Sequence, residues 1–337
     1  MGSKALPIVA LADMQDGQEA DLFALLSAKQ PLTTRDGKPY FRVTFRDARR
    51  EVSFPIWSDS AWAVDCRDTW SAGEFYKLRA QYRETNYGPQ LEIQKIRPVT
   101  EADHAAGFDA GMLLPRSRFD PEAMYDELVA LAESHIDDSG LLQLVLLILA
   151  EHREDLLDLP AATRNHHAFA GGYLEHVRSV TRTCVYLAEK YAAYYSDLDP
   201  PLDQGLVVAG AILHDIGKLR ELKSRPEGAE YTAAGQLIGH ILQGRDIVRE
   251  TAARVEIDPQ RLLRLEHIIV SHQRLPEWGS PKPPMTPEAL IVHHADDLDA
   301  KLQIMVMALQ NDAPDAEFTS RKNPLGQRVY RGASPGD

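Results

Sequence analysis

Residues 206 to 218 read Leu-Val-Val-Ala-Gly-Ala-Ile-Leu-His-Asp-Ile-Gly-Lys, an apolar helical stretch in which His214 and Asp215 stand side by side. An imidazole next to a carboxylate among aliphatic residues is costly to bury unless a positive charge compensates, and a metal ion does this. A lone His-Asp pair in a helix is more often structural, so the surroundings must decide. Upstream lies Gly171-Gly-Tyr-Leu-Glu-His176, and downstream come Gly239-His240, Val270-Ser-His272 and His293-His294-Ala-Asp296-Asp297. Nine of the 12 histidines fall between His166 and His294, which concentrates ligand chemistry in one half of the chain. Imidazole and carboxylate together suit Mn, Fe, Co, Ni or Zn. The absence of paired cysteines argues against a structural zinc site. Lys218 lies three residues after Asp215, nearly on the same helix face, where a lysine is placed to meet a phosphate.

The order His, His-Asp, His, His, Asp resembles the HD-domain phosphohydrolase superfamily. On that resemblance His176, His214, Asp215 and Asp296 match the core that binds a first metal ion. His240 and His272 match the added histidines of two-metal members, with Asp215 shared between the ions. The resemblance implies two divalent cations, Mn2+ above all, with Fe, Co, Ni or Zn as alternatives. Asp215 and Lys218 then carry the catalytic roles, the lysine offsetting charge on the phosphoryl oxygens. Other polar residues have plainer readings beside this one. His267 can cap or pack. His293 or His294 can orient a ligand, since only one shares the face of Asp296. His166 and His167 belong to a polar loop and are candidate substrate contacts.

These residues must be positioned by helices. Asp120-Pro121 is an N-cap followed by proline at the first helical position. Helices are expected at 121–135, 140–153, 173–195, 203–218, 232–253, 258–271 and 287–310. The chain before them reads differently. Ala20 to Ser27, Tyr40 to Asp47, Val52 to Trp57, Phe75 to Tyr82 and Pro89 to Ile96 are strand-like, with turn signals at Asp36-Gly37 and Asn86-Tyr87-Gly88. A short helix is expected near Asp59 to Val64. Five strands with one interposed helix fit an OB-fold barrel. The fold expected is therefore multidomain. An all-β OB-fold barrel (1–98) and a linker (99–119) precede an all-α HD-domain bundle (120–312) and a polar tail (313–337).

Lys38 to Asp47, Phe54-Pro-Ile-Trp57 and Gln90-Leu-Glu-Ile resemble the OB modules that accompany some nucleases. Tyr40, Phe41, Phe45, Trp57, Tyr76, Tyr82 and Tyr87 are candidates for base stacking. Tyr82 and Tyr87 are the best placed, because they flank a loop, and Arg42 is a candidate phosphate contact. OB module, HD domain and the stretch Ser271-His-Gln-Arg-Leu-Pro-Glu-Trp-Gly-Ser-Pro281 together resemble the YhaM-type 3′-to-5′ exoribonucleases over nearly the whole chain. That resemblance implies release of nucleoside 5′-monophosphates from single-stranded RNA, with DNA as an alternative substrate. Gln273 departs from it, since a second histidine commonly follows the position of His272 in this family. Two other readings compete. One is a small-nucleotide phosphohydrolase whose barrel serves assembly into a homo-oligomer, and the other is a non-catalytic nucleic-acid-binding protein.

Composition bounds these readings. The chain of 337 residues has room for two domains, and 44% hydrophobic with 26% charged residues is ordinary for a globular protein. Leu141 to Ala150 is too short to span a bilayer, so no membrane partner is expected. Cys66 and Cys184 fall in different expected domains, which points to reduced thiols and the cytoplasm. The net charge of −13 argues against nucleic-acid binding. That objection weakens because residues 1–100 are nearly neutral and bound metal would neutralise part of the acidic remainder.

Overall fold

The computed structural model describes residues 6–86, 88–162, 169–225, 228–311, 316–321 and 323–332. The chain divides into two compact units, residues 1–116 with 225–228 and residues 117–224 with 229–337.

The first unit is built on β1 (Glu19–Thr33), β2 (Pro39–Arg46), β3 (Glu51–Trp57), β4 (Phe75–Thr85) and β5 (Gly88–Pro98), in the order β3-β2-β1-β4-β5. All four ladders are antiparallel. The long β1 serves both halves of the sheet, its first part pairing with β4 and its second with β2, and a register shift between Leu26 and Ala28 lets it bend. The sheet curls until β3 lies against β5, although no ladder joins them among the described residues. Alternation fixes the inside. Val43, Phe45, Val52, Phe54, Tyr76, Leu78 and Tyr82 point into one core. The turn after β2 is held by Asp47, whose Oδ1 accepts the N–H groups of Arg49 and Arg50 at 2.8 and 2.7 Å. This replaces the glycine that a tight turn often uses.

One helix, α1 (Ala63–Asp68), joins β3 to β4. It starts later than the sequence suggests, because residues 57–63 form successive turns and the Trp62 indole donates to the Ile93 carbonyl at 2.8 Å. Strand order and helix position are those of an OB-type fold. Residues read as a linker carry structure of their own. A 3-10 helix (Glu101–Ala106) and α2 (Ala110–Leu113) place Phe108 and Leu113 against Phe23, and Asp103 binds both Arg97 and Lys77.

The second unit is helical. Its elements are α3 (Pro121–His135), α4 (Ser139–Glu151), α5 (Arg153–Asp158), α6 (Gly172–Tyr194), α7 (Gln204–Leu213), α8 (Lys218–Glu221), α9 (Ala233–Ile238), α10 (His240–Ala252), α11 (Pro259–Ser271) and α12 (Pro287–Asn311). A two-stranded hairpin, β6 (Leu222–Arg225) with β7 (Gly228–Tyr231), departs from the all-α expectation. Asp120, Asp138, Asp203 and Asp258 each cap a helix through a side-chain oxygen. Residues 206–213 of α7 are all buried, with α3, α4, α6, α11 and α12 packed round them. A helix that is apolar on every face belongs at the centre of a bundle. Its carboxyl end therefore delivers His214 and Asp215 into the interior.

Two expected helices are broken, and both breaks serve the site. The 203–218 helix stops at Leu213 and resumes at Lys218. A Cβ on Gly217 would sit 1.9 Å from the His240 carbonyl oxygen, so the turn can be approached by α10 only because the residue is glycine. The 232–253 helix is split by Gly239, with φ +79° and ψ 160°, which turns the chain so that His240 opens a new helix. The described part of the tail is tied together by a bridge between Phe318 and Tyr330.

Candidate metal centre

Four helices and one inter-helix turn converge on a single carboxylate. His176 comes from α6, His214 and Asp215 from the turn after α7, His240 from the first position of α10, His272 from the end of α11 and Asp296 from α12. His176 Nε2 lies 3.6 Å and His214 Nε2 3.5 Å from Asp215 Oδ2. His240 Nε2 lies 3.2 Å and His272 Nε2 3.6 Å from the other oxygen, Oδ1. Asp296 Oδ1 closes the first group, 3.2 Å from His176 Nε2 and 3.8 Å from His214 Nε2. The ligand atoms of His176, His214 and Asp215, and those of Asp215, His240 and His272, form two ion-sized clusters that share Asp215.

In every histidine the second nitrogen is engaged. His176 Nδ1 bonds Asp299 Oδ2 at 2.8 Å, His240 Nδ1 bonds Glu221 Oε1 at 3.0 Å, and the Nδ1 groups of His214 and His272 bond the carbonyls of Ala211 and Ile269 at 2.8 Å. Each ring is thereby fixed with Nε2 toward the carboxylates, the arrangement in which imidazoles bind metal. His176 Nε2 and His214 Nε2 face each other at 3.3 Å. Among the described residues, the buried His272 Nε2 has no hydrogen-bond partner, and the buried Asp215 Oδ1 meets only imidazole nitrogens. Such groups are costly inside a protein unless a cation completes them.

The electrostatics say the same. Burial pulls the His214 imidazole down to about 4, so it is neutral. Burial also opposes charge on His176 and His240, but the carboxylates outweigh it. Hydrogen bonds to Asp296 and Asp299 raise His176 to about 9, and those to Asp215 and Glu221 raise His240 to about 9. Asp215 and Asp296 also resist burial; Lys218, with the imidazoles, holds Asp215 far below the carboxylate range, and His176, with its neighbours, lowers Asp296. Protons on two imidazoles and the Lys218 ammonium, 2.5 Å from Asp215 Oδ2, supply the positive charge. Divalent cations fit the same donor set, with nitrogen and oxygen but no sulfur.

The cluster opens into a cavity of about 630 Å3 lined also by Lys218, Gln273, His293, Asp297 and Lys301. All six residues that the HD resemblance assigns to metal come together here, with Lys218 beside them. Two supporting residues escaped the sequence reading. Asp299 orients His176 and accepts from Ser179 Oγ at 2.5 Å, and Glu221 holds both the side chain and the N–H of His240. A metal-binding imidazole needs an acceptor for its other nitrogen, and Asp299, one turn beyond Asp296, was a visible candidate. Gln273 Nε2 approaches His240 Nε2 at 3.3 Å. His267 Nε2 accepts the Met285 N–H at 2.9 Å, a loop contact. His293 Nδ1 bonds the His272 carbonyl at 2.7 Å and so supports that residue, whereas His294 is exposed.

The expected substrate contacts fare unevenly. His166, His167 and Tyr87 lie outside the described residues. Tyr82 is a correction: its ring is 3% exposed, its hydroxyl donates to Glu84, and Arg50 covers one face, so no base can stack on it. It shares the inward parity of Tyr76 and Leu78. Arg42 is exposed on the outer face of β2, its Nε donating to Ser53 Oγ at 3.0 Å. On the same face Tyr40 stands opposite Trp57, ring centroids 4.9 Å apart.

Residues 173–301 match the model of the HD domain. The 3′-5′ exoribonuclease YhaM of Bacillus subtilis is 31% identical over 93% of this chain and 95% of its own length. The protein of the same name from Listeria monocytogenes is 33% identical over 95% of this chain and 97% of its own. The second OB-fold domain of replication protein A from Methanococcus maripaludis is 11% identical, covers 28% of this chain and 97% of that one, and superposes with a TM-score of 0.22.

Proposed function

The chain belongs to the family of the 3′-5′ exoribonuclease YhaM, and from that membership and the centre on Asp215 we propose that it is a metal-dependent 3′-to-5′ exonuclease. It hydrolyses single-stranded RNA to nucleoside 5′-monophosphates, with two divalent ions, Mn2+ foremost. The observation that carries the reading is one buried carboxylate whose two oxygens face two pairs of oriented imidazoles. Such a pair of ions polarises the phosphodiester, lowers the pKa of water and stabilises the leaving oxygen.

The chain's own residues do the rest. His176, His214, Asp215 and Asp296 would hold one ion, and Asp215, His240 and His272 would hold the other. Asp299 and Glu221 keep the imidazoles of His176 and His240 oriented and electron-rich. Lys218 lines the cavity and is positioned to offset negative charge on a phosphoryl oxygen. On the OB unit, Tyr40 and Trp57 offer bases a stacking surface, and Arg42 beside them a phosphate contact. The chain works in the cytoplasm, a placement supported by two buried unpaired thiols.

The test is a substrate panel with Mn2+: 5′-labelled single-stranded RNA, the same sequence as DNA, and free nucleotides. Stepwise shortening of the RNA from its 3′ end, with 5′-monophosphates as product, is expected. Hydrolysis of free nucleotides alone would mark a small-molecule phosphohydrolase, and no hydrolysis with retained RNA binding a non-catalytic protein.

A further inference from the structure

The cavity over the metal centre is lined by two chemically different groups of residues. One is the imidazole–carboxylate cluster with Lys218. The other is apolar and aromatic, formed by Tyr231 and Trp278 with Leu222, Ile238, Ile241 and Ile304. Both aromatic residues are exposed, Trp278 to 52% and Tyr231 to 47%. Neither is paired with another ring or a cation among the described residues. Exposed aromatics of this size forgo the burial that normally holds them in a core.

Trp278 is also held firmly where it stands. Its backbone N–H and that of Ser280 both donate to the Leu275 carbonyl, at 3.0 and 3.2 Å, and the buried Ser280 Oγ accepts the Gln273 backbone N–H at 3.1 Å. Arg274 sits at φ +67°, a left-handed conformation uncommon for any residue but glycine. Gly279 sits at φ +103°, where a side chain would be strained, and packs close to Ile241 of α10. Conformations of this kind persist when the surroundings determine them, and they gather at ligand-binding positions. Gln273, the first residue of the same loop, is the one whose amide reaches His240. The loop thus ties an exposed tryptophan to the metal centre.

We propose that Trp278 and Tyr231 form a nucleobase subsite, which stacks the base of the 3′-terminal nucleotide while its phosphodiester lies at the Asp215 cluster. The proposal rests on the exonuclease reading. An aromatic platform suits an enzyme that removes one nucleotide after another, because every base has a π face and stacking tolerates any sequence. It also gives the centre a means of preferring the terminal nucleotide, whose base is free to enter the cavity.

The experiment uses the full chain. Steady-state hydrolysis of single-stranded RNA with Mn2+ is compared for wild type, Trp278→Ala, Trp278→Leu and Trp278→Phe, and for Tyr231→Ala and Tyr231→Phe. Stacking that is equal in ground state and transition state raises KM and spares kcat when it is lost. Trp278→Ala should raise KM about tenfold to a hundredfold, from typical base–aromatic stacking. Trp278→Phe should recover most of this and Trp278→Leu little, since bulk without a π face does not stack. In parallel, adenosine 5′-monophosphate should quench tryptophan fluorescence in the wild type, and Trp278→Phe should remove that component although three of the four tryptophans remain. Wild-type KM and undiminished quenching in the Trp278 variants, with RNA hydrolysis intact, overturn the subsite and leave the exonuclease reading standing. Quenching through Trp278 in a protein that cleaves free nucleotides but not RNA keeps the subsite and overturns the exonuclease reading.

Discussion

Asp299→Asn isolates the contribution of a residue that touches no substrate. Asp299 Oδ2 bonds His176 Nδ1 at 2.8 Å and Oδ1 accepts from Ser179 Oγ at 2.5 Å. An asparagine can keep both contacts, its carbonyl toward the imidazole and its amide toward the hydroxyl, so the variant removes charge and preserves shape. Asp299, with Asp296 and Asp215, is one of the three carboxylates that hold His176 at about 9 despite burial. Without its charge the imidazole becomes less basic and a weaker ligand. Loss of such supporting partners costs roughly tenfold to a hundredfold in metal affinity, or about 1.4–2.8 kcal/mol. Calorimetric Mn2+ titration of wild type and variant reads this directly, and NMR titration of the metal-free protein should show His176 moving down from its elevated value. If the variant binds Mn2+ as tightly as wild type while its His176 has moved, the idea that Asp299 strengthens the ligand is wrong.

Three further outcomes follow from the same geometry. His176 and His240 are raised to about 9, so both carry protons near neutral pH that must leave before Nε2 can bind a cation; Mn2+ affinity should rise with pH until about 9, by up to about tenfold per unit for each proton released, and calorimetry in buffers of different ionisation enthalpy would refute this by finding no proton release. Gly217→Ala drives a Cβ into the His240 carbonyl, which should cost about 1–3 kcal/mol or more in unfolding free energy and weaken the ion held by His240; an unchanged melting temperature and metal content would contradict the close packing. Replacing Tyr40 and Trp57 together by alanine should weaken binding of a long single-stranded RNA by about tenfold or more, read by fluorescence anisotropy; equal affinity would remove the β2–β3 face from the substrate path.

Much of the centre was legible because its chemistry conflicts with its setting. His214 and Asp215 end a helix that is apolar on all sides, and such a pair asks for a counter-charge before any fold is known. The start of α3 was legible through Asp120-Pro121, whose cap depends only on local sequence; Asp138, Asp203 and Asp258 cap their helices in the same way. The breaks at Gly217 and Gly239 were not. Gly217 is glycine because α10 passes against it, a tertiary fact that no local pattern announces. Glu221 and Asp299 look like surface acids on short polar stretches, and they become part of the site only when His240 and His176 arrive from distant helices. Tyr82 departs from expectation for a different reason: it lies near a loop, yet strand parity turns it, with Tyr76 and Leu78, onto the inward face.

The central claim is that one carboxylate serves two ions, and metal counting tests it most directly. Wild type, His272→Ala and Asp215→Asn, each saturated with Mn2+ and freed of unbound ion, should retain two, one and no tightly held ions per chain, with Asp215→Asn still folded by circular dichroism. Two ions retained by Asp215→Asn, or a single ion in the wild type, would contradict the shared-carboxylate centre.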